Sequence, residues 1–150
     1  LVGSEMCIRD SGYAKGVSGG NIWLMCGTYK AGLKAAKKAL GAIHKVEGVI
    51  TSFDICSAGS KVETNFPAIG PTTNHRYCPT LRGRIKDSMV PEGVGSIPEI
   101  VINGISLDAV RAAMSAGINA VKGERTVIKI SAGNYGGKLG GYKIHLREIA

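Results

Sequence analysis

The chain has 150 residues, 44% of them hydrophobic, 20% charged and 5% aromatic. That length suits one domain with a real core, and the mixture excludes wholesale disorder. No apolar run approaches the roughly 20 residues that span a bilayer. A net charge of +8 favours acidic partners: phosphates, carboxylates or nucleic acid.

Leu1 to Ser11 has no usable periodicity, and charges stand where a signal peptide would be apolar. Glu5 to Ser11 (EMCIRDS) looks like a translated transposon end of the kind left in sequencing libraries. Residues 1–11 therefore read as an artefactual or disordered tail, with the patterned chain running over 12–150. A scar joined directly to patterned sequence implies a truncated gene whose product continues upstream of Gly12. Beyond Cys7, the cysteines are Cys26, Cys56 and Cys78. Three thiols without a C-x-x-C argue against a disulfide scaffold and against a zinc site. Without a secretory signal, the reducing cytoplasm is the expected location.

Asn21 to Cys26 (NIWLMC) predicts a buried strand. Thr28 offers a helix N-cap, and Leu33, Ala36, Leu40 and Ile43 fall on one stripe opposite a lysine-rich face. Gly48 stops that helix, and Val49 to Ile55 (VITSFDI) predicts a second strand. The second half repeats the grammar. Glu99 to Ile105 is a strand, Ser106 an N-cap, and Val110, Ala113, Met114, Gly117, Ile118 and Val121 form an i, i+3, i+4, i+7 stripe. Gly123 ends the helix, and Thr126 to Ile130 follows as a strand. Tyr142 to Arg147 alternates in a way that predicts one more half-buried strand.

Ser57-Ala58-Gly59 and Ser131-Ala132-Gly133, each at a strand end, match letter for letter. Two βαβ units in tandem describe an α+β class, a ferredoxin-like sandwich with helices on one face of the sheet. No G-x-G-x-x-G follows any strand, which sets it apart from a Rossmann fold. Residues 57–96 hold four prolines and only short apolar runs. A connection that long is uncommon and usually functional.

Three constellations could carry chemistry. Glu99 stands inside Ile97-Pro98-Glu99-Ile100-Val101-Ile102, sharing a strand face with Ile97 and Val101. On a covered face its carboxyl pKa rises, and a neutral carboxyl can donate to a carbonyl becoming an oxyanion. The alternative is a Glu at an exposed strand end. Thr72 to Arg82 gathers hydroxyls, an amide, an imidazole and two guanidinium groups, which suit carboxylate and phosphate or form an ordinary solvated loop. Ser131 to Gly141 is glycine-rich, so its amides can form an anion nest or simply a flexible hairpin. Its Lys138 is followed by Leu139 rather than Ser or Thr, so it is no Walker loop.

Six segments then occur in a familiar order: Ser57 to Val62, Tyr77 to Arg82, Pro91 to Val94, Glu99 to Gly104, Ser131 to Gly140 and His145 to Glu148. Together they resemble the C-terminal half of the formylmethanofuran–tetrahydromethanopterin formyltransferases. That resemblance implies one ferredoxin-like lobe of a two-lobe protein, with residues 12–150 as its C-terminal (distal) lobe. It implies formyl transfer between N-formylmethanofuran and N5 of tetrahydromethanopterin in one-carbon metabolism, as in methanogenesis and methylotrophy. The carriers are co-substrates, and neither a metal nor a prosthetic group is bound. It also implies a homo-oligomer, with hydrolase or dehydrogenase subunits as further partners, and neither nucleic acid nor membrane.

By the same resemblance Glu99 is the catalytic carboxyl. Ser57, Ser60, Lys61, Asn74, Cys78, Pro79, Thr80, Arg82, Gly133, Asn134, Tyr135 and Lys138 are the expected substrate-binding residues. Lys61, Arg76, Arg82, Arg84 and Lys138 would suit the carriers' anionic groups. The family's N-terminal lobe has no counterpart here, and Glu63 to Pro71 departs from its expected lysine-bearing form. A second reading is a non-catalytic carrier-binding subunit of a formyltransferase/hydrolase complex. A nucleic-acid module would need aromatics clustered on the sheet, and the sequence has no such cluster.

Overall fold

The computed structural model describes residues 15–59, 73–137 and 140–150. Its elements run β1 (Val17–Cys26), α1 (Tyr29–Ile43), β2 (Val49–Thr51), β3 (Cys56–Ser57), β4 (Pro98–Gly104), α2 (Leu107–Val121) and β5 (Val127–Ser131). The sheet order is β2-β4-β1-β5, with β3 also pairing β4. Every pairing is antiparallel. This is the expected ferredoxin-like arrangement, two split βαβ units interleaved so that β1 and β4 are central.

Both helices start where the sequence places caps. The Thr28 and Ser106 hydroxyls accept from the backbone N–H groups of Ala31 and Ala109, at 3.2 and 3.1 Å. The buried positions of α2 are the six of the expected stripe. In α1 the buried set is Gly32, Ala35, Ala36, Ala39 and Ile43, so Leu33 and Leu40 are only half-buried. Small residues let α1 lie close to the sheet, which turns the stripe away from its larger leucines. The main core, built on Ile22, Leu24, Ile100 and Ile102, lies between sheet and helices.

Two strand expectations change. Val49 to Ile55 is not one strand: β2 ends at Thr51, the chain bends over 52–54, and pairing resumes at Cys56. Tyr142 to Arg147 forms no strand: irregular chain leads into a 3₁₀ turn over Leu146–Glu148. Ile144, Leu146 and Ile149 still pack on the core. Period-two alternation reports the sidedness of an extended chain, and coil satisfies it without a hydrogen-bonded neighbour.

The N-terminal end of β1 is held by one amide. Asn103 Oδ1 accepts from Ser18 Oγ at 2.7 Å and from the Gly19 N–H at 3.0 Å, while its Nδ2 donates to Ser52 Oγ at 2.8 Å. Gly19 has φ +88° where the β1/β4 register shifts, a bulge that glycine makes without steric cost.

Candidate active site

The sheet's second face is covered by the long connection. Ala58, Tyr77, Val90, Val94 and Ile97 pack there on Trp23 and Met25, which alternate along β1 with the helix-facing Ile22, Leu24 and Cys26. Glu99 lies under this cover at 5% exposure, with Asn21 the other buried polar or charged side chain among the described residues. Expectation and structure agree on its burial, and the exposed-end alternative fails.

Glu99 sits in a row of cross-strand partners. Trp23 on β1 and Cys56 on β3 are both its register partners, and Ser131 on β5 is that of Trp23. Directly opposed residues share a face, so all four side chains point to the covered side. Trp23 Nε1 donates to Glu99 Oε1 at 2.9 Å, and the indole ring is 5.1 Å from that of Tyr77, inclined at 54°. The Cys56 thiol lies 3.4 Å from the Glu99 main-chain oxygen and 3.7 Å from Oε2.

Burial pushes the Glu99 carboxyl above the ordinary 4.5, while hydrogen bonds from Trp23 and Cys56 work against that rise. Burial and the neighbouring Glu99 charge push the Cys56 thiol up to about 11. Tyr135 is raised too, by burial and then by the Glu99 charge, with the Asn74 side chain pulling down and Cys56 pushing up. Burial therefore favours the protonated, uncharged form of each of these three neighbouring groups.

A stability effect follows from the raised carboxyl. Unfolded and folded chains are both protonated at Glu99 below about pH 4.5, so the group then costs nothing. As pH rises from there through the higher folded pKa, the unfolded chain loses its proton first and stability falls. Urea midpoints of the parent and of Glu99→Gln should therefore diverge between pH 4 and pH 8, the parent losing more. Parallel curves would mean that Glu99 titrates as an ordinary carboxyl.

Several expected binding residues meet here. A Cβ on Gly133 would lie 2.7 Å from Trp23 Cζ2 and 2.9 Å from Asn74 Nδ2, so the glycine loop is seated on both. The Gly133 N–H donates to Asn21 Oδ1 at 2.7 Å, and Asn21 Nδ2 donates back to the Gly133 carbonyl at 3.4 Å. Asn74 Nδ2 is buried without a partner in hydrogen-bond geometry among the described residues, although it is close enough to Tyr135 to influence the phenol. Tyr135 has φ +47°, the one non-glycine residue with positive φ among those described. That strain commonly marks a functional position. A cleft of about 830 Å³ opens beside this group, with Asn21, Gly133, Asn134 and Tyr135 on its wall; Glu99 does not line it.

Other expected residues have structural partners. Arg82 Nη2 donates to the Pro91 and Val94 carbonyls at 2.7 and 2.6 Å, bracing that turn. Cys78 is buried, 3.1 Å from Thr80 Oγ1, and Pro79 opens the 3₁₀ turn Pro79–Leu81. Arg76 pairs with Asp87 at 3.1 Å, Arg84 is exposed, and Ser57 is exposed at the edge, opposite Pro98. Exposed Asn134 accepts from the Gly137 N–H. Ser60, Lys61 and Lys138, with the segment Glu63 to Pro71, lie outside the described residues. Trp23, Cys56 and Asn21 were not expected. Alternation within NIWLMC signals that Trp23 faces away from the helices, but nothing local assigns Cys56 to Glu99.

Among the described residues no group of three or more His, Cys, Asp or Glu is placed to hold a metal. No helix there is long and apolar enough to cross a membrane.

Fold and site thus define a ferredoxin-like lobe with a buried carboxyl on its covered sheet face, beside a glycine-rich loop. The family model described as "FTR, proximal lobe" matches residues 3–149. The chain belongs to the formylmethanofuran–tetrahydromethanopterin formyltransferase family. The lobe matched is the proximal one rather than the distal one expected, and the match overlaps most of residues 1–11. A formyltransferase-like protein of Methanopyrus kandleri is 57% identical over 148 residues, covering 99% of this chain and 49% of its own length. The formylmethanofuran:tetrahydromethanopterin formyltransferase from Methanosarcina barkeri superposes with a TM-score of 0.78 at 40% identity, over 90% of this chain and 46% of that one. The formyltransferase/hydrolase complex from Methylorubrum extorquens, solved with methylofuran, gives a TM-score of 0.76 at 34% identity, over 89% and 45%. The chain spans about half the length of the curated relatives it matches.

Proposed function

We propose that this lobe supplies the acid for formyl transfer between N-formylmethanofuran and N5 of tetrahydromethanopterin. The observation that carries the reading is Glu99 itself: buried, raised in pKa, and held at one oxygen by Trp23. In the forward sense the N5 amine attacks the formyl carbon, giving a tetrahedral adduct with an oxyanion. Collapse breaks the carbon–nitrogen bond to the methanofuran amine. One proton leaves N5 and one reaches the departing amine. A neutral Glu99 carboxyl donates to the oxyanion, and one such donor contributes about 10²–10³ in rate. Holding both carriers in place supplies much of the remainder.

The basic balance of the chain supports anionic carriers. The family resemblance favours a protein with no bound metal or prosthetic group, a cytoplasmic site and assembly into oligomers. The identity to a formyltransferase/hydrolase complex favours one second reading, a subunit that binds carrier and hands it to a hydrolase. The full chain carrying this sequence, given both carriers, separates them. Formyl transfer by that protein alone is the expected result. Carrier binding with no transfer until hydrolase subunits are added would establish the second reading instead.

A further inference from the structure

Cys56 reaches Glu99 through an irregularity in the sheet. β2 pairs with β4 as Val49 with Gly104, Ile50 with Asn103 and Thr51 with Ile102. Continued without interruption, that register would set Asp54 opposite Glu99. Instead five residue steps from Thr51 to Cys56 match three on β4, from Ile102 to Glu99. The bend over 52–54 takes up the difference and leaves Asp54 exposed. A thiol thus replaces a carboxylate beside the buried acid. Two carboxyl groups there would repel when ionised, whereas a thiol adds no charge.

The two oxygens of Glu99 are then inequivalent. Trp23 Nε1 is a donor only and holds Oε1. An acid proton is consequently favoured on Oε2, the oxygen within reach of Cys56 Sγ. A thiol is both a weak donor and a weak acceptor, and this sulfur also reaches the Glu99 main-chain carbonyl. We propose that Cys56 is a positioning residue for Glu99, turning one S–H between Oε2 of the ionised carboxylate and the main-chain carbonyl when Oε2 carries the proton. The thiol itself remains neutral, since burial and the Glu99 charge keep it near 11. The titratable groups facing the carboxyl among the described residues are Cys56 from β3 and Tyr135 from the loop after β5. Trp23 from β1 does not titrate.

This inference rests on Glu99 acting as the acid, so its test reads the carboxyl directly as well as the reaction. In the full chain, Cys56→Ala and Cys56→Ser are compared with the parent by ¹³C NMR titration of the Glu99 carboxyl and by the pH dependence of formyl transfer. Alanine removes a donor to the carboxylate, so the Glu99 pKa should rise by about half to one pH unit. The loss of activity on the alkaline side should move upward with it. Serine, a stronger donor, should restore the parent position or pass below it. A carboxyl titration identical in parent, alanine and serine proteins would overturn the role of Cys56. If alanine fails to fold, the serine protein decides alone: a downward or parental pKa with retained transfer supports the inference, and an upward one overturns it. An alanine shift in a protein whose parent transfers no formyl group would keep the thiol's role and remove the formyl-transfer reading.

Discussion

Glu99→Ala in the full chain is expected to lower formyl transfer about 10²–10³-fold, the effect of removing one preorganised donor to a developing oxyanion. The KM values for both carriers should change little, because the oxyanion exists only in the transition state and its loss reads in kcat. Glu99→Gln keeps a neutral N–H donor of similar size, so it should retain more activity than alanine. Equal losses in both would mean that the carboxyl must also move a proton, a task the amide cannot perform. A parental rate in the alanine protein would remove Glu99 from the chemistry. Truncation leaves the Trp23 N–H without its acceptor, a cost of about 1–3 kcal/mol, but it also removes a buried ionisable group. Circular dichroism and urea midpoints therefore accompany the rates, to separate lost chemistry from lost fold.

Gly59→Ala is expected to be more disruptive than its size suggests. Gly59 has φ +60°, which an alanine adopts at a cost of roughly 1–2 kcal/mol. Its new Cβ would also fall within the van der Waals envelope of the Asn74 carbonyl, and overpacking adds about 1–3 kcal/mol. The Asn74 carbonyl accepts from the Tyr77 N–H at 2.8 Å, so displacing it moves the ring that packs at an angle against Trp23 and the amide beside Tyr135. Stability should drop by a few kcal/mol, with transfer falling alongside. Gly41→Ala, where a Cβ meets nothing within 4 Å, is the contrasting control and should match or exceed parental stability, as glycine-to-alanine changes in helices do. A Gly59→Ala midpoint equal to the parent's would mean that the turn has room the structure does not give it.

Spacing along single strands and helices made both helix caps and the buried face of α2 legible in the chain, and the repeated βαβ pattern made the ferredoxin-like class so, while Glu99 stayed open between a covered face and an exposed strand end. The chain also carried the family likeness, through six short segments in order. The folded molecule was needed to show that Glu99 is covered, that β2 breaks at Thr51, that the C-terminal alternation lies as coil against the core, and that Arg82 Nη2 braces a turn through the Pro91 and Val94 carbonyls. It alone placed Trp23, Cys56 and Tyr135 around one carboxyl, with Asn74 beside Tyr135. The reason is register. A strand's periodicity tells which side a residue faces, but not which residue of another strand stands opposite. Two residues taken up in a bend exchanged Asp54 for Cys56 beside Glu99, and no local pattern in the chain records that exchange.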